Sequence, residues 1–356
     1  MKALFLLSGL GLGNSTRCHA VMQRLKRKGV TIEAITSANG LWYFDDKPEV
    51  QKVHTVQTFH YGSKDGKISI GRTLAGVGGM ARTLIGNARI VNDVLDGFQP
   101  DVVVADSDYV FRPMKKHKIP IVALNNADLV CRNYRRFGDA PSNVMPHYYC
   151  VEQMDALYHR LAPDVVVSPT LGGDVPASKG RFKYTGPIVR EDYQTPSVTP
   201  PDDRAVIMLS GSNFGTSVTV GTAPLPMTVD VVGREQPEDW EARENVIFHG
   251  KTTNTYPHLS SAKVVVVNGG YSAVSEVVCM KKLAVIVPVP CHAEQWSNAR
   301  EIQNLGVGLV SDEQNYVEAM LNVFNNGGEI QAAYDAMPPV RDGAEEAATI
   351  IVDAAR

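Results

Sequence analysis

Residues 263–278 read KVVVVNGGYSAVSEVV. Four valines in a row are a short strand buried on both faces, the kind found in parallel sheets covered by helices. Two glycines then break the strand, and a helix begins near Ser272. A helix start of this kind exposes unpaired N–H groups and the positive end of the helix dipole, so it can hold a phosphate. It can equally be a plain turn and cap. Glu276 lies one turn up from Ser272. It either offsets the dipole of its own helix or reaches the hydroxyls of a ribose. Gly269, Gly270, Ser272, Ala273 and Ser275 make up the candidate turn.

The same strand–turn–helix style runs through the chain. KALFLLS (2–8) is a buried strand, TRCHAVMQRLKRKG (16–29) has helical spacing and stops at Gly29, and VTIEAIT (30–36) is a second strand. A strand–helix–strand unit within about forty residues implies a parallel sheet. DVVVAD (101–106), PIVALN (120–125) and DVVVS (164–168) continue it. In the second half AVIMLS (205–210), TVDVV (228–232), NVIFHG (245–250) and LAVIVPVP (283–290) alternate with helical stretches. TPSVTPPDD (195–203) is a proline-rich linker. The expected fold class is therefore α/β, with two doubly wound Rossmann-like domains facing a central cleft. In such sheets ligands sit beyond the carboxyl ends of the strands.

Composition agrees with a globular chain. Of 356 residues 44% are apolar and 21% charged. The five cysteines, Cys18, Cys131, Cys150, Cys279 and Cys291, are odd in number and widely spaced. They point to a reducing cytosol rather than to disulfides or a zinc knuckle. MKALFLLSGLGLG has no small-residue cleavage site and reads as a strand, not a signal peptide. No apolar run approaches the roughly 20 residues of a membrane helix. Residues 1–184 hold 24 Lys+Arg against 16 Asp+Glu, a charge of +8, whereas residues 185–356 hold 11 against 22, a charge of −11. Such an uneven split suits two domains with different ligands.

Three further stretches bear on chemistry. SGLGLGNST (8–16) brings glycines between the first strand and the first helix. Its spacing is not a dinucleotide fingerprint, and EAITSANG offers no acid for a ribose, so NAD is not expected. Gly11 and Gly13 still allow something to approach bare backbone. Asn14 and Ser15 suit a helix cap. PDVVVADSDYV (100–110) ends a buried strand with Asp106 and Asp108, which could solvate a loop, act as a general base, or hold a metal as a DxD pair. LSGSNFG (209–215) places Ser210, Gly211 and Ser212 after the first strand of the second half, where backbone N–H groups can meet an anion. In VPVPCHAEQWSNAREIQNLGVGLV (287–310), Glu294 and Gln295 offer donors and acceptors to sugar hydroxyls, and Asn298 opens or caps a helix. His292 with Glu294 gives too few ligands for a metal.

Gly269, Gly270, Ser272, Ser275 and Glu276, followed by Pro288, Glu294, Gln295, Asn298, Ala299, Gly306 and Gly308, resemble the donor domain of GT-B nucleotide-sugar glycosyltransferases. The peptidoglycan N-acetylglucosaminyltransferase and UDP-glycosyltransferase type is the nearest pattern. The resemblance is good over residues 245–310 and extends weakly to TGPIVR (185–190) and the first glycine loop. It implies an acceptor-binding domain over 1–185 and a donor-binding domain over 186–340, with a last helix at 341–356 that packs back on the first domain. It implies an inverting, metal-independent transferase with no cofactor that uses a nucleoside-diphosphate sugar, most simply a UDP-sugar. The turn from Gly269 to Ser275 would hold the diphosphate, Glu276 the ribose, and His292, Glu294, Gln295 and Asn298 would lie at the donor.

Many relatives carry a histidine base in the first glycine loop, in a pattern like GHxxR. Here the stretch is GNSTR, and asparagine cannot take a proton near neutral pH. The expected base is therefore Asp106, with Asp108 in reserve and Asn14 orienting the acceptor. Arg72, Arg82, Arg89, Arg132, Arg135 and Arg136 make the first half basic. They suit a hydroxyl acceptor on an anionic lipid and peripheral contact with the inner membrane face; nucleic acid is not expected. The competing functions are a nucleotide-sugar hydrolase, a non-hydrolysing epimerase of the same fold, and an inactive sugar-nucleotide binder.

Overall fold

The computed structural model describes residues 1–57, 63–64, 67–68, 77–110, 112–172, 175–195, 203–209, 225–238, 240 and 244–356. The strands are β1 (Lys2–Leu7), β2 (Thr31–Thr36), β3 (Lys52–Thr55), β4 (Ser63–Lys64), β5 (Lys67–Ile68), β6 (Val102–Asp106), β7 (Ile121–Leu124), β8 (Val165–Pro169), β9 (Phe182–Thr185), β10 (Arg204–Met208), β11 (Thr228–Val231), β12 (Val246–Phe248), β13 (Val264–Asn268), β14 (Leu283–Val287) and β15 (Leu309–Val310). They form a seven-stranded sheet in the order β3-β2-β1-β6-β7-β8-β9, a six-stranded sheet in the order β12-β11-β10-β13-β14-β15, and the β4–β5 hairpin. Every neighbouring pair in the two large sheets is parallel.

Helices cover both faces of each sheet, which is why the strands carry no polar alternation. In the first sheet Phe5, Leu7 and Val104 pack on Cys18, Val21, Met22 and Leu25 of the helix Leu12–Arg27. Leu4, Leu6 and Val103 point the other way, onto Val91, Val94, Leu95 and Phe98 of the helix Val77–Phe98. The valine run Val264–Val267 has no exposed surface. Val265 and Val267 meet Val274, Val277 and Val278 of the helix Tyr271–Cys279. Val264 and Val266 meet Tyr316, Met320, Val323 and Phe324 of the helix Tyr316–Asn326. Each buried valine contributes about 1.5–3 kcal/mol.

The last helix, Gly343–Ala354, belongs to the first core: Ala344, Ala347, Ala348 and Ile351 pack with Cys18, Val21 and Leu25. The chain crosses between domains at Gly186, where space is extreme. A Cβ on Gly343 would stand 1.9 Å from the Gly186 carbonyl oxygen. Gly343 N donates to Pro187 O at 3.1 Å, and Gly186 N donates to Glu346 Oε2 at 2.9 Å. Arg24 Nη2 of the first helix donates to Asp342 Oδ2 at 3.1 Å, tying the last helix down.

In both sheets the strand order reverses beside the first strand of the domain, between β1 and β6 and between β10 and β13. Loops leaving the two strands at such a point part to opposite faces and open a crevice. The first glycine loop follows β1, Asp106 ends β6, and Gly269–Gly270 follows β13. All three therefore lie at the switch points.

Candidate functional site

Two helix starts form the centre. The helix Leu12–Arg27 begins at Gly11, extended at φ −124° and ψ 170°, with no side-chain cap and no acid in its first turn. The helix Tyr271–Cys279 begins at Gly270, at φ −65° and ψ 137°, also without a side-chain cap or an early acid. A missing cap is not peculiar to these two, since Asn39–Phe44 and Tyr256–Ser261 also lack one, whereas Ala293–Leu305 and Gly343–Ala354 are capped. Asp342 caps Gly343–Ala354, accepting from Glu345 N at 3.0 Å, and Glu345 and Glu346 sit in its first turn. The two bare starts meet: Ser272 Oγ donates to the Gly13 carbonyl at 2.8 Å. Their free N–H groups and dipole ends thus converge from separate domains, an arrangement that attracts an anion.

The turn after β13 is held from behind. Asn298 Nδ2 donates to Gly269 O at 2.9 Å, and a Cβ on Gly269 would lie 2.5 Å from the backbone oxygen of Gln295. Only glycine lets the two backbones come this close. Gly11 and Gly270 face open space, and a Cβ on Gly13 would meet only Ser272 Oγ, at 3.5 Å.

Several of the expected site residues are engaged by other side chains of the protein. Asp106 is 0% exposed, and its two oxygens accept from Arg17 Nε at 2.8 Å and Arg17 Nη2 at 2.6 Å. A carboxylate so enclosed and so paired anchors the first helix to the end of β6; it is not open to an acceptor hydroxyl. Burial alone would lower the Arg17 pKa, but Asp106 more than offsets it and holds the guanidinium above its ordinary value. Burial pushes the neighbouring Cys18 thiol well up. Glu276, expected at the ribose, is 5% exposed. Its Oε1 accepts from Arg190 Nε at 3.2 Å and Arg190 Nη2 at 2.8 Å. Arg190 lies on the interdomain crossing, so this pair locks the crossing to the helix. Ser275 is fully buried and its hydroxyl donates to Tyr271 O at 2.8 Å, inside its own helix. Asn298, also buried, supports the turn rather than facing the cleft. Ser210, Gly211, Ser212 and Arg72 lie outside the described residues, as does the side chain of Arg82.

Other expected residues keep part of their surface exposed. Asn14 is half-buried in the first turn of its helix, and Ser272 and Ala273 are half-buried in theirs. Glu294 is half-buried; burial raises its pKa although Arg17 and Asn126 act to lower it. Gln295 Oε1 accepts from Val289 N at 2.9 Å, which leaves its amide NH₂ to donate. His292 caps the helix Ala293–Leu305, its Nδ1 accepting from Gln295 N at 3.5 Å. Asp108 is half-buried, one oxygen accepts from Val110 N at 2.9 Å, and burial raises its pKa.

Sequence reading missed the first domain's side of this cleft. Asn125, at the end of β7, donates to Asp155 Oδ2 at 2.7 Å, and Tyr109 donates to Asp155 Oδ1 at 3.0 Å. Glu152 and His147 stand beside them, and the His147 ring lies 4.5 Å from the His292 ring of the other domain. Burial lowers the His147 pKa to about 3 and the His292 pKa to about 4, so both rings are neutral near pH 7. Burial, with Glu294 and Asp155 nearby, raises the Glu152 carboxyl well above its ordinary value. Arg17 had a signal, lying in the GNSTR stretch; the pairings of the others join residues far apart in sequence.

Two parallel-sheet domains meeting at a crevice, with bare helix starts turned toward it from both sides, define a two-domain transferase of GT-B architecture. The chain belongs to glycosyl transferase family 1, whose family model matches residues 1–326. An uncharacterized glycosyltransferase of Methanosarcina acetivorans is 25% identical, with 93% of this chain and 91% of that protein covered. Another, from Methanosarcina mazei, is 25% identical over 86% of this chain and 85% of its own. Among solved structures, MurG of Acinetobacter baumannii superposes with a TM-score of 0.54 at 14% identity, covering 99% of both chains. The glycosyltransferase VinC, in complex with dTDP, superposes with a TM-score of 0.60 at 14% identity over 100% of this chain and 99% of its own. SsfS6 of Streptomyces sp. SF2575, complexed with thymidine diphosphate, gives a TM-score of 0.57 at 15% identity, covering 98% of this chain and 99% of its own. The protein is thus a glycosyltransferase that acts on a nucleotide sugar. Among the described residues no helix is long and apolar enough to cross a membrane.

Proposed function

We propose that this transferase inverts configuration at the sugar, takes a pyrimidine nucleoside-diphosphate sugar as donor, and delivers the sugar to a hydroxyl on an anionic acceptor. The observation that carries the proposal is the meeting of the two uncapped helix starts at the Ser272–Gly13 bond. A diphosphate between them would be neutralised by N–H groups and dipole ends that are already in place. They would also stabilise the charge that grows on the leaving diphosphate, without a metal at that point. Thymidine diphosphate in SsfS6 and dTDP in VinC support a pyrimidine base. The sequence resemblance favours uridine within that class. Glu294 and the free amide of Gln295 would hold the sugar hydroxyls.

With Asp106 committed to Arg17, the base passes to Asp108. Burial raises its pKa, which favours proton uptake, and only one of its oxygens is engaged by Val110 N. In a single displacement Asp108 would take the acceptor proton, the acceptor oxygen would bond to the anomeric carbon, and the bond to the diphosphate would break. Asn14 would orient the acceptor. Asp108→Asn should lower turnover at least about a hundredfold while donor affinity changes little. Wild-type turnover in that variant would remove Asp108 from the mechanism.

The first domain would receive the acceptor. Arg132, Arg135, Arg136 and Arg160 line one open pocket with Tyr184 and Asp128. Beside it Met145, Tyr149, Val151, Met154, Leu157 and Leu161 are exposed along one helical segment. Arginines next to exposed apolar side chains suit an anionic lipid surface, and we place the protein at the inner face of a membrane on that basis.

A further inference from the structure

We propose that His147, Glu152 and His292 form a site for a zinc-type divalent cation that bridges the two domains. One ring nitrogen of each histidine and one carboxylate oxygen of Glu152 lie within 4.8 Å of one another. His147 and Glu152 come from the first domain and His292 from the second, so the cluster exists only when the cleft is assembled.

The backbone is shaped for this grouping. Tyr148–Glu152 is a π-helical turn set between the short helix Met145–His147 and the helix Gln153–Leu161. Hydrogen bonds in a π-turn run from i to i+5, which brings residues 147 and 152 onto one face. In an α-helix, with about 3.6 residues per turn, they would point apart. Such turns are rare and occur frequently at functional sites.

The side chains are also short of partners. His147 Nδ1 is buried and makes no hydrogen bond; Glu152 Oε1, at 3.4 Å, is close to it without bonding. Glu152 is 7% exposed. A buried donor or acceptor left in this state is destabilising, and a cation between the rings and the carboxylate would give it a partner. His292 Nδ1 accepts the long cap bond from Gln295 N at 3.5 Å; a neutral imidazole has one acceptor nitrogen, so a bound cation would take the place of that bond.

Two imidazoles and one carboxylate select zinc or its first-row neighbours. Magnesium and calcium prefer oxygen alone. Three protein ligands leave a fourth position open to water or to a hydroxyl in the cleft. The cation is not assigned to the donor diphosphate, so the inference stands apart from the proposed donor chemistry.

The full chain, stripped with EDTA, would be titrated with zinc chloride against a chromophoric chelator. Asp230, His249 and His258 form a second histidine-containing cluster, so the titration would use a His249→Ala background. The expected result is one bound equivalent, insensitive to excess magnesium. His147→Ala and His292→Ala should each weaken binding at least about tenfold, as even supporting residues around a metal do. Glu152→Gln, close in shape, should do the same with its thermal unfolding intact and so guards against a folding artefact. Absence of a zinc equivalent, or zinc affinity unchanged by Glu152→Gln and His292→Ala, would overturn the proposal.

Discussion

At the scale of single residues, the cleft is organised by buried charges that hold one another. Asp106 pairs with Arg17 and Glu276 with Arg190, and removing one partner of such a pair strands the other at a cost of about 3–5 kcal/mol. Asp155 is the clearest case for titration. Burial would raise its pKa, but His159, Asn125 and Tyr109 all favour the ionised form and hold it below its ordinary value. A group depressed on folding adds stability that is present above its unfolded pKa and lost as pH falls through the folded value. Asp155→Asn should therefore cost about 1–3 kcal/mol near pH 7 and progressively less below pH 4. Urea unfolding of both proteins at pH 7 and pH 3 checks this; an equal cost at both would refute the assignment. None of these pairs was legible in the sequence. Arg17 and Asp106 are 89 positions apart, and nothing local marks them as partners. Asp106 looked like a base because strand ends carry sites, and that rule cannot tell a ligand group from an anchor.

Elements were read more successfully, since hydrophobic runs and glycines act locally. The valine run is a buried strand, and the helix after it starts at Tyr271, one residue before the expected Ser272. The first helix starts at Leu12 and takes in the Asn14 turn. What the pattern could not show is how tightly the Gly269 turn is packed, because Gln295 and Asn298 reach it from another helix. Gly269→Ala would push that helix and the turn apart. It should weaken nucleotide binding at least about tenfold, whereas Gly270→Ala, whose added Cβ meets nothing within 4 Å, should be mild. Calorimetric titration with UDP or dTDP compares them, and equal affinity in both variants would contradict the close-packed turn. The π-turn at Tyr148–Glu152 left no trace in the sequence, for residues 148–152 (YYCVE) carry no glycine or proline to announce it.

At the scale of the molecule, two parallel sheets are what strand spacing and the resemblance anticipated, and the last helix packs in the first core. The charge split has a structural counterpart, because the arginine-lined pocket lies wholly in the first domain. If that surface meets an anionic membrane, the protein should sediment with vesicles containing acidic phospholipid at low salt. It should release as salt rises, since exposed charges are screened beyond about 10 Å at 0.1 M. A double change, Arg132→Glu with Arg160→Glu, should abolish sedimentation without unfolding the chain. Sedimentation that ignores both salt and these changes would contradict the surface.

The claim on which the rest depends is that the two bare helix starts hold a nucleoside diphosphate. Thermal unfolding of the EDTA-treated protein with UDP, dTDP, GDP, CMP, ADP and NAD tests it most directly. A ligand at about a hundred times its dissociation constant adds roughly 2.7 kcal/mol of stability. Stabilisation by UDP or dTDP alone, kept by Gly270→Ala and lost in Gly269→Ala, is the predicted result. No shift with any nucleoside diphosphate, or a shift with NAD alone, would contradict the account.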